Sequence, residues 1–510
     1  MSDGVLILVA GGLLAAGVAA SLLAGRVRLP ALVLFLAVGM AIGSDGANWI
    51  DFADYELARR IGVIALALIL FEGGLAVRWS ELRPVARPAV MLASVGTIVT
   101  AGITGAGASL LFDLSLLESL LLGAILSATD GAAIFALLRG SSLRRRVART
   151  LEGEAGLNDP IAVLLVIGFV SWIDSPDYGA LDMVWLFVRQ LGIGAAAGLG
   201  IGALGVIAFR RLRLPAAGMY PVLAVTIAAL AYGSADVLHG SGFLAVYLAG
   251  VVLASGAIPA LHTIEAFHQG AAWVAQIAVF LTLGLLVFPA QLGDVWVEGV
   301  VIGLLSVVVA RPLAVFVATA FDRFTTAERV VVGWAGLRGA VPVVLATFPV
   351  IAEIPDSERF FNIVFFAVVL STVLQGATVE ALARRLRVTT SRPALPRPVG
   401  DTGTIQRLGA EIIEWTVEGD DTIVGARIRE LGLPREALIT LIVRGNEAIP
   451  PRGSTRINAG DALHVMVRTE VADAIPDLLE RWRDAAANGP VAPSDPGSAT
   501  SDGFGDPTPG

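Results

Sequence analysis

The sequence predicts a polytopic α-helical membrane protein of about thirteen spans with a small α+β cytosolic domain at its C-terminal end. Three observations predict it. Of 510 residues, 55% are hydrophobic and 16% charged, with a mean hydropathy of +0.77, whereas soluble domains carry roughly 25% charged residues. Arginine-rich loops alternate with arginine-poor ones along the chain. Beyond Arg387 the composition turns polar and acidic.

Runs of roughly 17–25 apolar residues qualify as spans. In order they cover about 4–24, 29–46, 59–77, 87–112, 116–138, 150–173, 183–209, 218–236, 242–256, 270–290, 296–320, 329–350 and 358–383. The first lacks a basic region before its apolar run, and Arg26 and Arg28 follow it, so it reads as a span rather than a signal peptide. With the N-terminus outside, the inner loops hold Arg26/Arg28, Arg78/Arg83/Arg87, Arg139/Arg144/Arg145/Arg146/Arg149, Arg210/Arg211/Arg213, Arg323/Arg329 and Arg384/Arg385/Arg387. The outer loops hold only Arg59, Arg60 and Arg359, among many acids. A miscount by one helix would scramble this asymmetry, so the positive-inside rule supports thirteen spans, multi-pass in a bacterial-type inner membrane. The segment 256–270 carries no arginine and reads as a loop or an interfacial amphipathic helix.

Residues 1–388 thus form the membrane domain and 389–403 a proline-rich linker. Residues 404–484 form a soluble domain, and 485–510, rich in Gly, Pro, Ser, Ala and Asp, form a tail expected to be disordered. In the soluble domain "AEIIEWTV", "ALITLIVRG" and "ALHVMVR" read as strands, and "TIVGARIRELGL" and "TEVADAIPDLLERWR" as helices. There is no Cys, which excludes disulfides, thiolate metal sites and cysteine nucleophiles.

An ionisable group at bilayer depth costs several kcal/mol unless it is paired or wet, so it signals function by default. Four stretches carry one. In "LEGEAGLNDPIAVLL" (151–165), Asp159 lies ten residues beyond Arg149, or roughly 15 Å at 1.5 Å per residue, half of a ~30 Å core. Pro160 has no N–H, so the carbonyl of Gly156 loses its helical partner. The freed oxygen lies one turn from the Asp159 carboxylate and suits a hard cation. Glu154 and Asn158 add polarity that a helix cap does not need.

In "SATDGAAIFALLRG" (127–140), Asp130 lies at a similar depth on an antiparallel helix, where Ser127, Thr129 and Gly131 favour unwinding. In "AGLRGAVPVVLATFP" (335–349), Arg338 is again near the midplane, with Gly336, Gly339 and Pro342 favouring a break. In "FEGGLAVRW" (71–79), Glu72 sits six residues from Arg78 and reads either as a site residue or as a snorkelling acid. Spans one to six and eight to thirteen make two repeats whose fifth members, 116–138 and 329–350, run in opposite directions. Interrupted spans at corresponding positions of inverted halves point to the transport site of a secondary transporter.

"SATDG", "EGEAGLNDPIA" and "GLRGAVP" together resemble the monovalent cation/proton antiporter family of NhaP/CvrA type, in pattern over about residues 1–390. The resemblance implies an inverted-repeat fold with crossed unwound helices, a homodimer and no enzymatic activity. It implies that Asp159 alternately binds cation and proton, that Asn158 and Thr129 hold the site, and that Asp130 acts directly or through water. It also implies a Glu154–Arg338 strut, although their depths differ by about 8–9 Å of helix rise. Ala155 departs from related sites, where a hydroxyl is common. An Asn before Asp159 resembles the electroneutral branch.

The soluble domain resembles the RCK_C (TrkA-C) half of potassium-regulatory modules, carried by "GDDTIVGARIRELGLP", "LIVRGNEAIPPRG" and "INAGDALHVMV". No Gly-rich dinucleotide fingerprint precedes it. The domain reads either as a receptor for a small regulatory ligand such as a nucleotide or as a dimerising module, with no nucleic-acid polymer as partner. The combination points to the potassium/proton subgroup: transported K+ or Na+ and H+, no cofactor, and membrane lipid as surroundings. The alternatives are a sodium/proton antiporter of the same fold, a cation channel gated by the C-terminal domain and an intramembrane aspartyl protease using Asp130 and Asp159. The four histidines (His239, His262, His268 and His464) read as loop or surface residues, and Arg311-Pro312 as a kink with a buried arginine.

Overall fold

The structure is a computed structural model that describes residues 2–27, 30–130, 143–256, 258–389, 410–419, 421–445, 447–468, 478–479 and 482–483. The chain divides into two units, Met1–Pro393 and Ala394–Gly510.

In the first unit the described helices are α1 (Asp3–Val27), α2 (Ala31–Ile42), α3 (Tyr55–Leu75), α4 (Trp79–Leu111), α5 (Leu116–Ile125), α6 (Arg145–Asp174) and α7 (Ala180–Arg211). They continue as α8 (Met219–Val237), α9 (Gly242–Ser255), α10 (Leu261–Leu285), α11 (Pro289–Ala318), α12 (Thr326–Trp334), α13 (Ala340–Ile351) and α14 (Ser357–Arg385). Helix occupies each of the thirteen apolar segments. Eight of the described helices are long and apolar enough to cross a membrane, and α2, α5, α9 and α13 are shorter apolar helices.

The helices pack in two groups. One holds α1, α2, α3, α7, α8, α9 and α10; the other holds α4, α5, α6 and α11–α14. Lipid supplies no hydrophobic drive between helices, so close backbone approach through small residues does much of the joining. Gly74 of α3 meets the carbonyl of Tyr247 in α9, and Gly250 meets the carbonyl of Phe71. In the second group Gly105 of α4 and Gly123 of α5 each rest on the other helix's backbone.

The two halves repeat their irregularities. A π turn interrupts α4 at Leu92–Gly96 and α11 at Leu305–Ala310. The next helix in each half opens on a capping box, Ser115 with Glu118 for α5 and Thr325 with Glu328 for α12, which satisfies otherwise orphan N–H groups. Each of these helices then stops mid-span: α5 at Ile125, before a non-helical stretch to Asp130, and α12 at Trp334, before a non-helical stretch to Gly339. Gly131 lies outside the described residues.

Two expectations are corrected. The segment 256–270 is not a separate loop or interfacial helix: from Leu261 it is the first part of α10, continuous to Leu285. His268 is therefore buried, with Nδ1 2.7 Å from the Ile264 carbonyl and its ring edge-on to Phe71 and Phe267. Apolar neighbours on both sides extend the helix farther than the polar spelling of that stretch suggests.

The second unit contains an antiparallel sheet of β1 (Ala410–Thr416), β2 (Ala437–Arg444), β3 (Glu447–Ile449) and β4 (Asp461–Arg468), in the order β1-β4-β2-β3. Alternation along β4 buries Leu463, Val465 and Val467 against Trp415, Ile439 and Ile442. "TIVGARIRELGL" is not an α-helix. It forms turns around a single 3-10 turn, Ile428–Glu430, because Gly425 and Gly432 on either side take φ of +84° and +64° and stop helix growth. Most of the second expected helix lies outside the described residues.

Candidate cation site

The two non-helical stretches cross. The Asp130 N–H donates to the Leu337 carbonyl at 2.7 Å. Arg338 Nε donates to the Leu126 carbonyl at 2.6 Å, so each break supplies a partner to the other. Thr372 Oγ1 of α14 donates to the Arg338 carbonyl at 2.6 Å, and the Arg338 N–H donates to Ser371 Oγ at 3.2 Å. Arg338 Nη2 reaches Ser306 Oγ, in the π turn of α11, at 2.5 Å. Backbone that is not helical at this depth must be satisfied by protein, and Ser371 and Thr372 do so here, while Ser306 takes the Arg338 side chain. Ser127 turns its hydroxyl back to the Ala124 carbonyl at 2.7 Å, easing the end of α5.

A cavity lies between the two helix groups, beside this crossing. Gly62, Leu66, Ile69, Leu70 and Gly73 of α3, Tyr247 of α9, and Gln276, Val279 and Phe280 of α10 line one side. Asp130, Ala155, Gly156, Asp159, Ala340, Val341 and Val344 line the other. About 20 Å³ is open to the centre of a water-sized sphere, room for roughly one such occupant.

Asp159 and Asp130 are 1% and 5% exposed, and both residues line this one space. Helix α6 runs through Pro160 without a break, so Asp159 is held on a rigid element. Asn158, one residue earlier, points elsewhere and donates through Nδ2 to Thr129 Oγ1, pinning α6 to the unwound end of α5. Gly339 leaves room for the Asp130 carboxylate, which would collide with any Cβ there.

Two expectations about the supporting residues change. Glu154 does not pair with Arg338: its carboxylate meets Arg311 at 2.5 Å, with both side chains shut off from solvent. Arg338 spends its donors on Leu126 and Ser306 instead. The axial offset of 8–9 Å between Glu154 and Arg338 thus has a simple resolution, since Arg311 sits in the second helix group at the depth of Glu154. Glu72 is half-buried on α3 and does not line the cavity. Sequence reasoning missed Ser306, Ser371, Thr372 and Tyr247. The one legible signal was Arg311 itself, a charge inside an apolar run with no partner in its own segment.

Residues 12–385 match the family described as sodium/hydrogen exchanger, transmembrane, and residues 412–479 match the TrkA-C domain. The K(+)/H(+) antiporter NhaP2 of Shewanella sp. (strain MR-4) is 38% identical over 483 residues, covering 92% of this chain and 83% of that one. The K(+)/H(+) antiporter NhaP of Alkalimonas amylolytica is 37% identical over 494 residues, covering 96% and 85%. The Na(+)/H(+) antiporter NhaH of Halobacillus dabanensis is 28% identical over 397 residues, covering 73% and 96%. Among solved structures, the sodium proton antiporter MjNhaP1 from Methanocaldococcus jannaschii at pH 8 shares the fold, with a TM-score of 0.65 and 24% identity over 75% of this chain and 99% of that one.

Proposed function

The chain belongs to the transmembrane sodium/hydrogen exchanger family and carries a TrkA-C domain after its spans, and from that premise we propose that it exchanges K+ for H+ one for one, by competition at Asp159. The carrying observation is a buried carboxylate facing a cavity between two helix groups. An isolated charge in such a place is costly, so the group is occupied by H+ or by an alkali cation. Either neutralises it, and one carboxylate cannot be neutralised twice. Movement of one helix group against the other presents the loaded cavity to each side in turn, and the empty charged form crosses poorly, which couples the two fluxes.

Asp130 stands beside Asp159 as a further oxygen ligand, directly or through water. Asn158 and Thr129 hold the geometry, and Ser127 eases the end of α5 at the break. Potassium is favoured because the relatives at 37–38% identity are named for it, whereas the sodium-named relative is at 28%. Electroneutral exchange rests on Asn158, which precedes Asp159 in the chain where a second acid would otherwise stand and is engaged with Thr129. The working assembly is a homodimer in a bacterial inner membrane, N-terminus outside, with the C-terminal domain in the cytoplasm as a ligand-responsive regulator.

The test is cation-induced collapse of a pH gradient in inverted vesicles, with K+ and Na+ salts compared over a pH series. Asp159→Asn is expected to abolish exchange, and an imposed membrane potential is expected to leave the wild-type rate unchanged. Exchange by Asp159→Asn at the wild-type rate would end this reading.

A further inference from the structure

Tyr247 is a large buried polar side chain that no step above uses. It is fully buried, and its hydroxyl has no hydrogen-bond partner among the described residues. A buried hydroxyl without a partner costs of the order of 1–3 kcal/mol, so its retention in an apolar lining asks for a reason.

Its position supplies one. Arg149, Glu152, Gly156 and Asp159 follow one another on one face of α6, at spacings of three, four and three residues. Tyr247 comes from the other helix group, and its ring fills the space where a Cβ on Gly156 would stand. It lines the cavity with Asp159. Glu152 stands one turn before Gly156 on α6, toward Arg149 from the place where the Tyr247 ring packs. Glu152 accepts from Arg149 at 2.6 Å, and Arg149 also pairs with Glu81 at 2.7 Å. A charged stripe therefore climbs α6 from its Arg149 end and stops at the phenol, one turn short of Asp159. The backbone of Tyr247 is fixed by its carbonyl against Gly74, so the ring moves with its own helix group when the groups slide.

We propose that Tyr247 is the inner gate and a positioning residue of the exchange cycle. Its ring separates the Asp159 cavity from the Glu152 stripe. Its hydroxyl binds the alkali cation, or the water travelling with it, as it passes from Glu152 to Asp159. This rests on the exchange reading above.

The chain has no native Cys, so Ala155→Cys places a single thiol in the cavity lining. The rate of its modification by a charged methanethiosulfonate, added to vesicles from the side bearing Arg149, reads the gate without requiring transport. Combining it with Tyr247→Ala is expected to speed modification by about tenfold or more, a barrier change of roughly 1.4 kcal/mol. Tyr247→Leu is the milder opening if the alanine variant does not fold. Tyr247→Phe keeps the ring and leaves the modification rate unchanged. It raises the half-saturating cation concentration about tenfold, the scale of one hydrogen bond to a charged group.

Equal modification rates with Tyr247 and with either opening variant, including no modification in any of them, overturn the gate. A Tyr247→Phe protein with wild-type half-saturation overturns the hydroxyl's part. Exchange that persists in Asp159→Asn strikes the parent reading instead, and the labelling result stands apart from it.

Discussion

The carboxylate of Glu154 and the guanidinium of Arg311 lie 2.5 Å apart, neither side chain more than 1% exposed, and join α6 to α11 inside the second helix group. The Arg311 guanidinium packs against Gly336, two residues before the buried Arg338, so Glu154 is the anion that allows two guanidinium groups to share one dry region. Glu154→Gln is expected to cost about 3–5 kcal/mol, because it leaves a buried cation uncompensated. The double variant Glu154→Leu with Arg311→Met is expected to lose less than the sum of the single losses. Thermal unfolding of the purified protein in detergent measures both.

Gly339→Ala places a methyl group where the Asp130 carboxylate now lies. The helices on either side tolerate alanine well, so helical content is expected to stay at the wild-type level. Displacing Asp130 from the cavity is expected to cut exchange by about tenfold or more, since a misplaced ligand of this kind costs 1.4 kcal/mol or more at the transition state. Circular dichroism and vesicle exchange on one preparation separate the two effects.

Thr129→Val removes the acceptor for Asn158 Nδ2 while keeping the side-chain shape. The stranded amide is expected to cost about 1–3 kcal/mol, and half-saturation for cation is expected to rise as α6 loses its tie to the unwound end of α5. Asn158→Ala combined with Thr129→Val is expected to be little worse than either alone, because the two groups act as a pair. A double-mutant cycle on half-saturation checks this.

In the C-terminal domain Asp461 begins β4, and its carboxylate takes Arg444 Nε and Nη2 at 2.7 and 2.8 Å and the Asn458 N–H at 2.8 Å. Burial pushes this carboxyl up, but Arg444 and Asn458 more than reverse the effect and hold it below the ordinary carboxylate range. A depressed carboxyl contributes stability that is complete above its unfolded value of about 3.9. That stability is lost as pH falls through the lower, folded value. Hydrogen exchange of residues 461–468 in the full-length protein is expected to stay slow until pH drops below that range. Arg444→Ala removes a lowering partner and is expected to move the onset of fast exchange to higher pH.

The spans and their breaks were legible because burial in lipid demands long apolar runs, and glycine, proline and charge within such runs have few bland explanations. Asp130, Asp159 and Arg338 could be set at comparable depths by counting residues from basic helix ends. Counting gives height along a helix but not direction around it. The partner of Glu154 was therefore misread, while Arg311, at the right height on a helix five segments away along the chain, stood without a role. The burial of His268 was hidden by polar neighbours at the start of α10. The short turn at Ile428–Glu430 was hidden because "ARIRELG" has helical spelling, and only the positive φ of its flanking glycines ends the helix.

The wide turns in α4 and α11 carry a consequence for how the two halves can change. Each holds a residue more than the α spiral accommodates, so the helix beyond it is rotated by about 100° from where an uninterrupted spiral would place it. Ser306, inside the second wide turn, meets Arg338, and Thr104, beyond the first, meets Ser306 at 3.2 Å. Removing a single residue from Leu305–Ala310 would turn Arg311 and everything after it in α11 onto a different neighbour, and an equal deletion in Leu92–Gly96 would swing Thr104 away. Length at these two places is therefore set by geometry rather than by chemistry, and side-chain replacement there is expected to disturb the fold less than insertion or deletion.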